Sequence, residues 1–213
     1  MNHTELLNHI IKTKGYKTYL EIGVDDGVNF TSIKLPKKNK ECCDPSDEKF
    51  ANITYHMTSD EMFAQMPLDK KYDIIFIDGM HLEEYVDRDI INSLKHLNPG
   101  GVICLHDVLP LSYDAAKEYY DHESAWNGTV WKSIPKLQDN NIEYYTVFND
   151  DSGLCIVKYH DNPYSLSYPT YRSTLSYPYL FNDAYQYYEF DHITNSGRFA
   201  MHVITEDQLP IIL

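Results

Sequence analysis

Tyr19-Leu20-Glu21-Ile22-Gly23-Val24-Asp25-Asp26-Gly27 is the stretch from which the fold is read. An apolar run ends in an acidic residue and passes into a turn with two glycines. That is the pattern of a buried strand feeding a tight loop that opens onto a helix. Gly23 lets the backbone turn sharply, and Gly27 is expected to let the following helix sit close to the strand. Such a loop allows a ligand to approach the main chain. The spacing is E-x-G-x-x-x-G rather than the dinucleotide fingerprint G-x-G-x-x-G. Glu21, Asp25 and Asp26 place three carboxylates in or beside the turn, a charge that repels a pyrophosphate. A cationic ligand without phosphate, of which S-adenosylmethionine is one, suits it. A tight turn with no ligand is the plainer alternative for this stretch taken alone.

Around it lie 213 residues, enough for one sizeable α/β domain with an appendage. The hydrophobic share of 43% is ordinary for a globular chain. No apolar run is long enough to span a membrane, and Met1-Asn2-His3-Thr4-Glu5 lacks the basic region and apolar core of a signal peptide. Cys42, Cys43, Cys104 and Cys155 match no zinc spacing and fall in apolar, strand-like runs. They read as buried free thiols in a reducing cytoplasm. The net charge of −14 leaves only Lys34 to Lys40 as a basic cluster, read as a solvated turn. A nucleic-acid track is therefore not expected. The acidic balance favours a small-molecule, sugar or protein substrate, or a bound cation.

Leu6, Leu7, Ile10 and Ile11 recur at helical spacing and predict an amphipathic helix over 3–14. After the first strand, a short helix from Gly27 to about Ile33 is ended by Pro36 and the lysines. A second strand, Glu41-Cys42-Cys43, ends at Asp44-Pro45. A third is expected over 52–57, after a gap too short for a full helix. Thr58 or Ser59 then caps a helix running through Phe63, with Asp60 in the first turn, where the dipole favours a carboxylate. Tyr72-Asp73-Ile74-Ile75-Phe76-Ile77-Asp78 is the clearest strand, a continuous apolar run ending at a binding crevice. A helix over 82–97 stops at Asn98-Pro99-Gly100-Gly101, and the strand Val102-Ile103-Cys104-Leu105 ends in His106-Asp107. Helices are expected over 113–122 and 130–138, and a closing hairpin pairs 142–148 with 154–157.

The alternation predicts an α/β, doubly wound, Rossmann-like fold with a seven-stranded, mostly parallel sheet and an antiparallel last strand. It occupies residues 1–158. From His160 the composition shifts to a Tyr-rich C-terminal extension, 159–213, punctuated by Pro163, Pro169 and Pro178. There Ser165-Leu166-Ser167-Tyr168-Pro169 is echoed by Thr174-Leu175-Ser176-Tyr177-Pro178, and some helix is expected around 183–193. An extended wrap of this kind serves packing against the domain, acceptor recognition, or assembly into a homo-oligomer.

Asp44 lies some twenty residues after the glycine turn, at the end of the second strand, where a carboxylate can accept from both hydroxyls of a ribose. Turn-capping in Asp44-Pro45-Ser46 is its structural alternative. Asp78, His81, His106 and Asp107 fall at the carboxyl ends of neighbouring strands and can converge. Asp78, His106 and Asp107 could hold a divalent metal that orients an acceptor hydroxyl and lowers its pKa. A histidine among the ligands favours manganese, iron or zinc over magnesium. Alternatively, His106 or His81 acts as a general base, with Asp107 or Asp78 setting its tautomer. Trp126 and Trp131 line the acceptor side or pack in the core.

Several motifs occur in order: Glu21 to Gly27, Met57-Thr58-Ser59-Asp60, Phe76 to His81, Pro99 to Asp107, Trp126-Asn127-Gly128 and Val130-Trp131-Lys132. Together they resemble the class I S-adenosylmethionine-dependent methyltransferases, and within them the methyltransferase 24 group, over about 16–158. The resemblance implies that Glu21 and Gly23, with Gly27 in the same turn, hold the methionine end of the cofactor. It places Asp44 at the ribose, Ser59 and Asp60 at the adenine, and Asp78 at the transfer centre. It also implies O-methylation of a small-molecule or sugar hydroxyl, with magnesium or manganese as a candidate second cofactor. The missing helix between the second and third strands departs from the family pattern and thins one wall of the adenine pocket. Two other classes stay open: an oxygenase or hydrolase with a metal on His81, His106 and Asp107, and a non-catalytic module that uses the tail as its interaction surface.

Overall fold

The computed structural model describes residues 1–120, 125–140, 142–148, 152–158, 203–204, 206–209 and 213. Helix α1, His3–Lys14, starts with a capping box in which the Asn2 side chain accepts from Glu5 N, and it ends on Gly15 in the left-handed region. Its Leu6, Leu7, Ile10 and Ile11 are buried. Strand β1, Tyr19–Ile22, is buried throughout and leads into α2, Val28–Ser32. Strand β2 is Lys40–Cys43, α3 is Ser59–Gln65 and β3 is Tyr72–Ile77. Thr58 caps α3, its hydroxyl accepting from Glu61 N while the Glu61 side chain returns to Thr58 N. Then come α4, Glu83–Lys95, β4, Leu97–His106, α5, Ser133–Asp139, and the strands β5, Tyr144–Val147, and β6, Leu154–Lys158.

The sheet order is β2-β1-β3-β4-β6-β5, extended outside β5 by the two-residue strand β7, Val203–Ile204. β2, β1, β3 and β4 run parallel, and β6 is antiparallel to both β4 and β5. The expected doubly wound sheet with an antiparallel closing strand is thus present. Alternation along each strand divides the core between two layers. Leu20, Ile22, Ile75, Ile77, Ile103 and Leu105 face α3, α4 and α5. Tyr19, Ile74, Phe76 and Cys104 face α1 and α2.

Three expectations are corrected. The strand over 52–57 is reduced to a single bridge, Cys43 with Tyr55. Parallel pairing needs a crossover of a dozen or more residues, usually helical, and the segment between Asp44 and Thr54 supplies no helix. The helix over 113–122 closes only one turn, at Ala116 N to Ser112 O and Tyr113 O. The Ala115 carbonyl is taken instead by Asn127 N and Gly128 N, which stops propagation; Asp121 and His122 lie outside the described residues. The helix read over 82–97 ends at Lys95, and Leu97 already pairs with Tyr72. The echo at 165–178 and the helix around 183–193 also lie outside the described residues.

β1 lies between β2 and β3, so the chain reverses direction of winding beside it, and the crevice opens at the carboxyl ends of these strands. Gly23 sits at that point with φ +84°. Its N–H donates to Cys43 O at 2.9 Å. A Cβ there would come within 2.1 Å of the Asp78 carbonyl oxygen. The space a side chain would need belongs to β3, so the glycine is required by the fold itself. We expect Gly23→Ala to lower unfolding free energy by about 2 kcal/mol or more. Urea denaturation of the two proteins checks this, and equal midpoints would refute it.

Candidate active site

A cavity of about 720 Å³ opens at the carboxyl ends of β1 to β4. Of the residues singled out in the sequence, Gly23, Asp44, Ser59, Asp60, Asp78, His81, His106 and Asp107 line it. Glu21 and Gly27 are not among its lining residues. The alternation of β1 turns Glu21 to the α1 and α2 side, where it is 1% exposed. Its Oε2 accepts from the Tyr19 hydroxyl at 2.5 Å and from Asn29 Nδ2 at 2.9 Å. Burial pushes this carboxyl up to about 8. Glu21 therefore braces α2 rather than charging the loop. Gly27 begins α2 with φ +73°, and a Cβ on it would strike the Phe50 ring at 2.3 Å. It makes room for the chain following β2 rather than for helix against strand.

At one end of the cavity, Asp44 organises the glycine turn. Its Oδ2 accepts from Val24 N at 2.8 Å and Asp25 N at 3.3 Å, and its Oδ1 accepts from Ser46 N at 2.8 Å. A carboxylate has about four acceptor positions, so one remains. Asp25, at φ +46°, projects outward and pairs with Lys49 Nζ at 2.6 Å. Asp60, in the first turn of α3, is held by Arg88 Nε through both of its oxygens, at 3.2 and 3.0 Å.

At the other end, two imidazoles and two carboxylates interlock. His106 Nδ1 lies 3.1 Å from Asp78 Oδ1 and 3.5 Å from Asp107 Oδ1. His81 Nδ1 lies 3.0 Å from the Trp126 carbonyl and 3.2 Å from Asp107 Oδ2, and its Nε2 is 3.6 Å from Asp78 Oδ1. Because each Nδ1 meets only acceptors in these contacts, each carries the proton. The His106 ring packs against His3, with centroids 4.4 Å apart, and is the more enclosed of the two. Asp78, His81 and Asp107 offer donor atoms within 4.8 Å of one another. The sequence grouped Asp78, His106 and Asp107 instead; His106 turns its Nδ1–H toward Asp78 and is not in the three-donor group. Burial pulls His81 down, but hydrogen bonding to Asp78 and the charges of Asp107 and Asp78 outweigh it, so its pKa is raised. Burial raises Asp107, whereas the charge and hydrogen bond of His106 override burial and lower Asp78.

Asn127 was missed as a site residue. It is buried, its Nδ2 donates to Asp107 Oδ1, and its N–H is tied to Ala115 O at 2.8 Å. Thr129 N donates to the His81 carbonyl at 2.8 Å, and a Cβ on Gly128 would lie 1.9 Å from that same oxygen. Trp126 stacks on His81 with centroids 5.3 Å apart. The turn from Trp126 to Thr129 is therefore a clamp on His81 and Asp107. Asn127-Gly128 is a turn signal legible in sequence, but nothing local says which strand end it reaches. Trp131, by contrast, is buried in the core.

A family described as a methyltransferase domain matches residues 20–108. Comparison with curated proteins found no match. Solved structures share the fold. An O-methyltransferase from Bacillus cereus in complex with SAH has 15% identity and a TM-score of 0.53, over 73% of this chain and 79% of that one. The O-methyltransferase TomG from Streptomyces achromogenes, in complex with SAM, has 14% identity and a TM-score of 0.56, over 74% and 79%. An SAH-bound methyltransferase of Podospora anserina has 19% identity and a TM-score of 0.51, over 74% and 78%. The glycine turn, the acidic strand ends and the sheet around them fall within the matched segment, so residues 20–108 of this chain resemble a methyltransferase domain and share the fold of these methyltransferases.

Proposed function

We propose that the chain is an S-adenosylmethionine-dependent methyltransferase that methylates a hydroxyl of a small molecule or sugar. The observation that carries this reading is the charge of the cavity. Asp25, Asp44, Glu48, Asp60, Asp78 and Asp107 line it, against Lys49, which is already paired with Asp25. Such a wall suits a sulfonium and repels a phosphate. The cavity also falls in the size range of small-ligand pockets. That O-methyltransferases of the same fold hold SAM or SAH supports the reading. Gly23 and the turn after it would take the methionine end, the remaining acceptor position of Asp44 a ribose hydroxyl, and Ser59 with Asp60 the adenine border.

When bound, the cofactor supplies a methyl group on sulfur, open to in-line displacement. The chain has to position the acceptor and take its proton. His81 is suited to this: its Nδ1–H is fixed by Trp126 and Asp107, which directs the Nε2 lone pair of the neutral ring toward Asp78 and the cavity. The hydroxyl proton would pass to Nε2 as the acceptor oxygen takes the methyl and the sulfur keeps the bonding pair of the broken S–C bond. Asp107 and Asp78 then stabilise the imidazolium, and Asn127 positions Asp107. A second reading has one supporting observation, the three-donor group of Asp78, His81 and Asp107. Its mixed nitrogen and oxygen donors fit manganese, which would polarise the acceptor hydroxyl.

The Tyr-rich segment 159–213 is proposed to serve acceptor recognition or assembly. Of its described part, Val203–Ile204 extends the sheet beside β5, and Leu209 is buried. No helix among the described residues is long and apolar enough to cross a membrane, and four buried free thiols favour a reducing cytoplasm.

Calorimetry with S-adenosylhomocysteine should give one site per chain; absence of binding would overturn the assignment. With an acceptor in hand, His81→Ala should cut turnover by about a hundred- to ten-thousandfold while S-adenosylhomocysteine affinity stays nearly intact. Chelator should leave the wild type unaffected; loss of activity that manganese restores would favour the metal reading instead.

A pH dependence also follows. The base acts only when deprotonated, and the carboxylates raise His81 above its ordinary value of about 6.5. kcat/KM should therefore rise with pH through a midpoint above that value. Asp107→Asn removes one of the charges that hold the proton on, so its midpoint should move down. A shift upward would show that Asp107 does not act on His81.

A further inference from the structure

Asp89, on α4, stands in the cavity wall with Ser59 and Cys43. It is 3% exposed, and its Oδ1 has no hydrogen-bond partner among the described residues. The Ser59 side chain, at the start of α3, acts on the carboxyl to lower its pKa. A buried polar atom with no partner inside the chain is costly unless something from outside satisfies it. Asp60, the residue that the sequence placed at the adenine, already has both oxygens on Arg88. The carboxyl in this region with an oxygen to spare is Asp89.

The groups facing it are Asp60 and Ser59 from α3, Arg88 on its own helix and the Cys43 thiol from β2. Burial, with Asp60 adding to it and Ser59 and Arg88 opposing, pushes Asp89 up to about 7. The Cys43 thiol is itself raised, to about 12, by burial and then by the charge of Asp89. It stays neutral near pH 7. Around neutrality roughly half of Asp89 is the uncharged acid, with a donor and an acceptor side by side. Adenine carries the complement, an amino donor at N6 flanked by a ring-nitrogen acceptor on either side.

We propose that Asp89 reads the adenine of the cofactor as a neutral acid, accepting from the N6 amino group and donating to the ring nitrogen beside it. This rests on the reading that the cavity holds S-adenosylmethionine. It gives α4 a binding role and makes Asp89, beside Ser59 at the start of α3, a wall of the adenine pocket. A carboxylate could make only half of the pair, because it has no proton to give the ring nitrogen. The mode therefore carries its own pH dependence. The neutral form is present below the pKa of the free site and is lost as pH rises through it.

The test is calorimetry on the full chain with S-adenosylhomocysteine and its 1-deaza and 7-deaza analogues, each of which deletes one ring acceptor. Wild type, Asp89→Asn and Asp89→Leu are compared between about pH 6 and about pH 8.5. Wild-type affinity should fall toward tenfold per pH unit above about 7. Asp89→Asn keeps the donor and acceptor without the titration. It should match wild type within a few-fold at the acidic end and show a flatter profile. The cofactor's own amino group titrates alike in all three proteins, so the difference between profiles is the readout. Asp89→Leu should bind roughly ten- to a hundredfold more weakly and lose the discrimination against one deaza analogue that wild type and Asp89→Asn retain.

An Asp89→Asn profile parallel to wild type, or both deaza analogues binding wild type like the parent, overturns the proposal. These two measurements decide it even where Asp89→Leu does not fold. If wild type fails to bind S-adenosylhomocysteine at all, the functional reading falls and this proposal with it. If wild type binds but ignores Asp89, only the proposal falls.

Discussion

The close approach of β1 and β3 at Gly23 is the constraint on which the rest of this structure depends. The main chain at Gly23 and the carbonyl of Asp78 leave no room for a Cβ. That contact sets the turn after β1 against the turn after β3, and so places the two halves of the cavity relative to each other. Asp78 N donates to Ile22 O at 2.8 Å, and Gly23 N donates to Cys43 O, so three strand ends are stitched together in one place. Asp44, immediately after the third of these, reaches back to the amides of Val24 and Asp25. The apolar residues of the strands supply the stability. The stitching supplies the geometry of the crevice.

Much of this was legible in the sequence because it rests on local signals. The continuous apolar run from Tyr72 to Ile77, the period of α1 and the capping residue at Thr58 each report their own surroundings. So did the order of the strand ends, which brought Asp78, His81, His106 and Asp107 to one crevice. What escaped was set by partners far along the chain. The segment over 52–57 has the composition of a strand, but its pairing depends on a crossover that the intervening residues cannot build. The turn at Ala115 ends because Asn127 and Gly128 take its carbonyl. Glu21 faces away from the cavity because of strand alternation, a rule that sequence does reveal once the neighbouring faces are assigned.

Charge balance explains why the strand ends look as they do. Two carboxylates placed this close repel, and one of them would be driven neutral without compensation. Here two imidazoles interleave with them, and Asn127 satisfies the Asp107 oxygen that faces inward. Removing one member leaves the others under-compensated, so the effects of single substitutions here should not add. His81 is the member with most to lose, since its backbone carbonyl, its Nδ1 and its ring face are all held by the turn from Trp126 to Thr129.

The four thiols have a distribution with a practical consequence. Cys42 and Cys104 belong to the layer under α1 and α2, and Cys43 and Cys155 to the layer under α3, α4 and α5. Each layer thus holds two buried thiols with no disulfide between them. A thiol becomes reactive only when its side of the sheet opens to solvent. Alkylation rates followed residue by residue would therefore resolve the opening of one face of the sheet from that of the other. No label need be introduced, since neighbouring positions in β2 report from opposite sides.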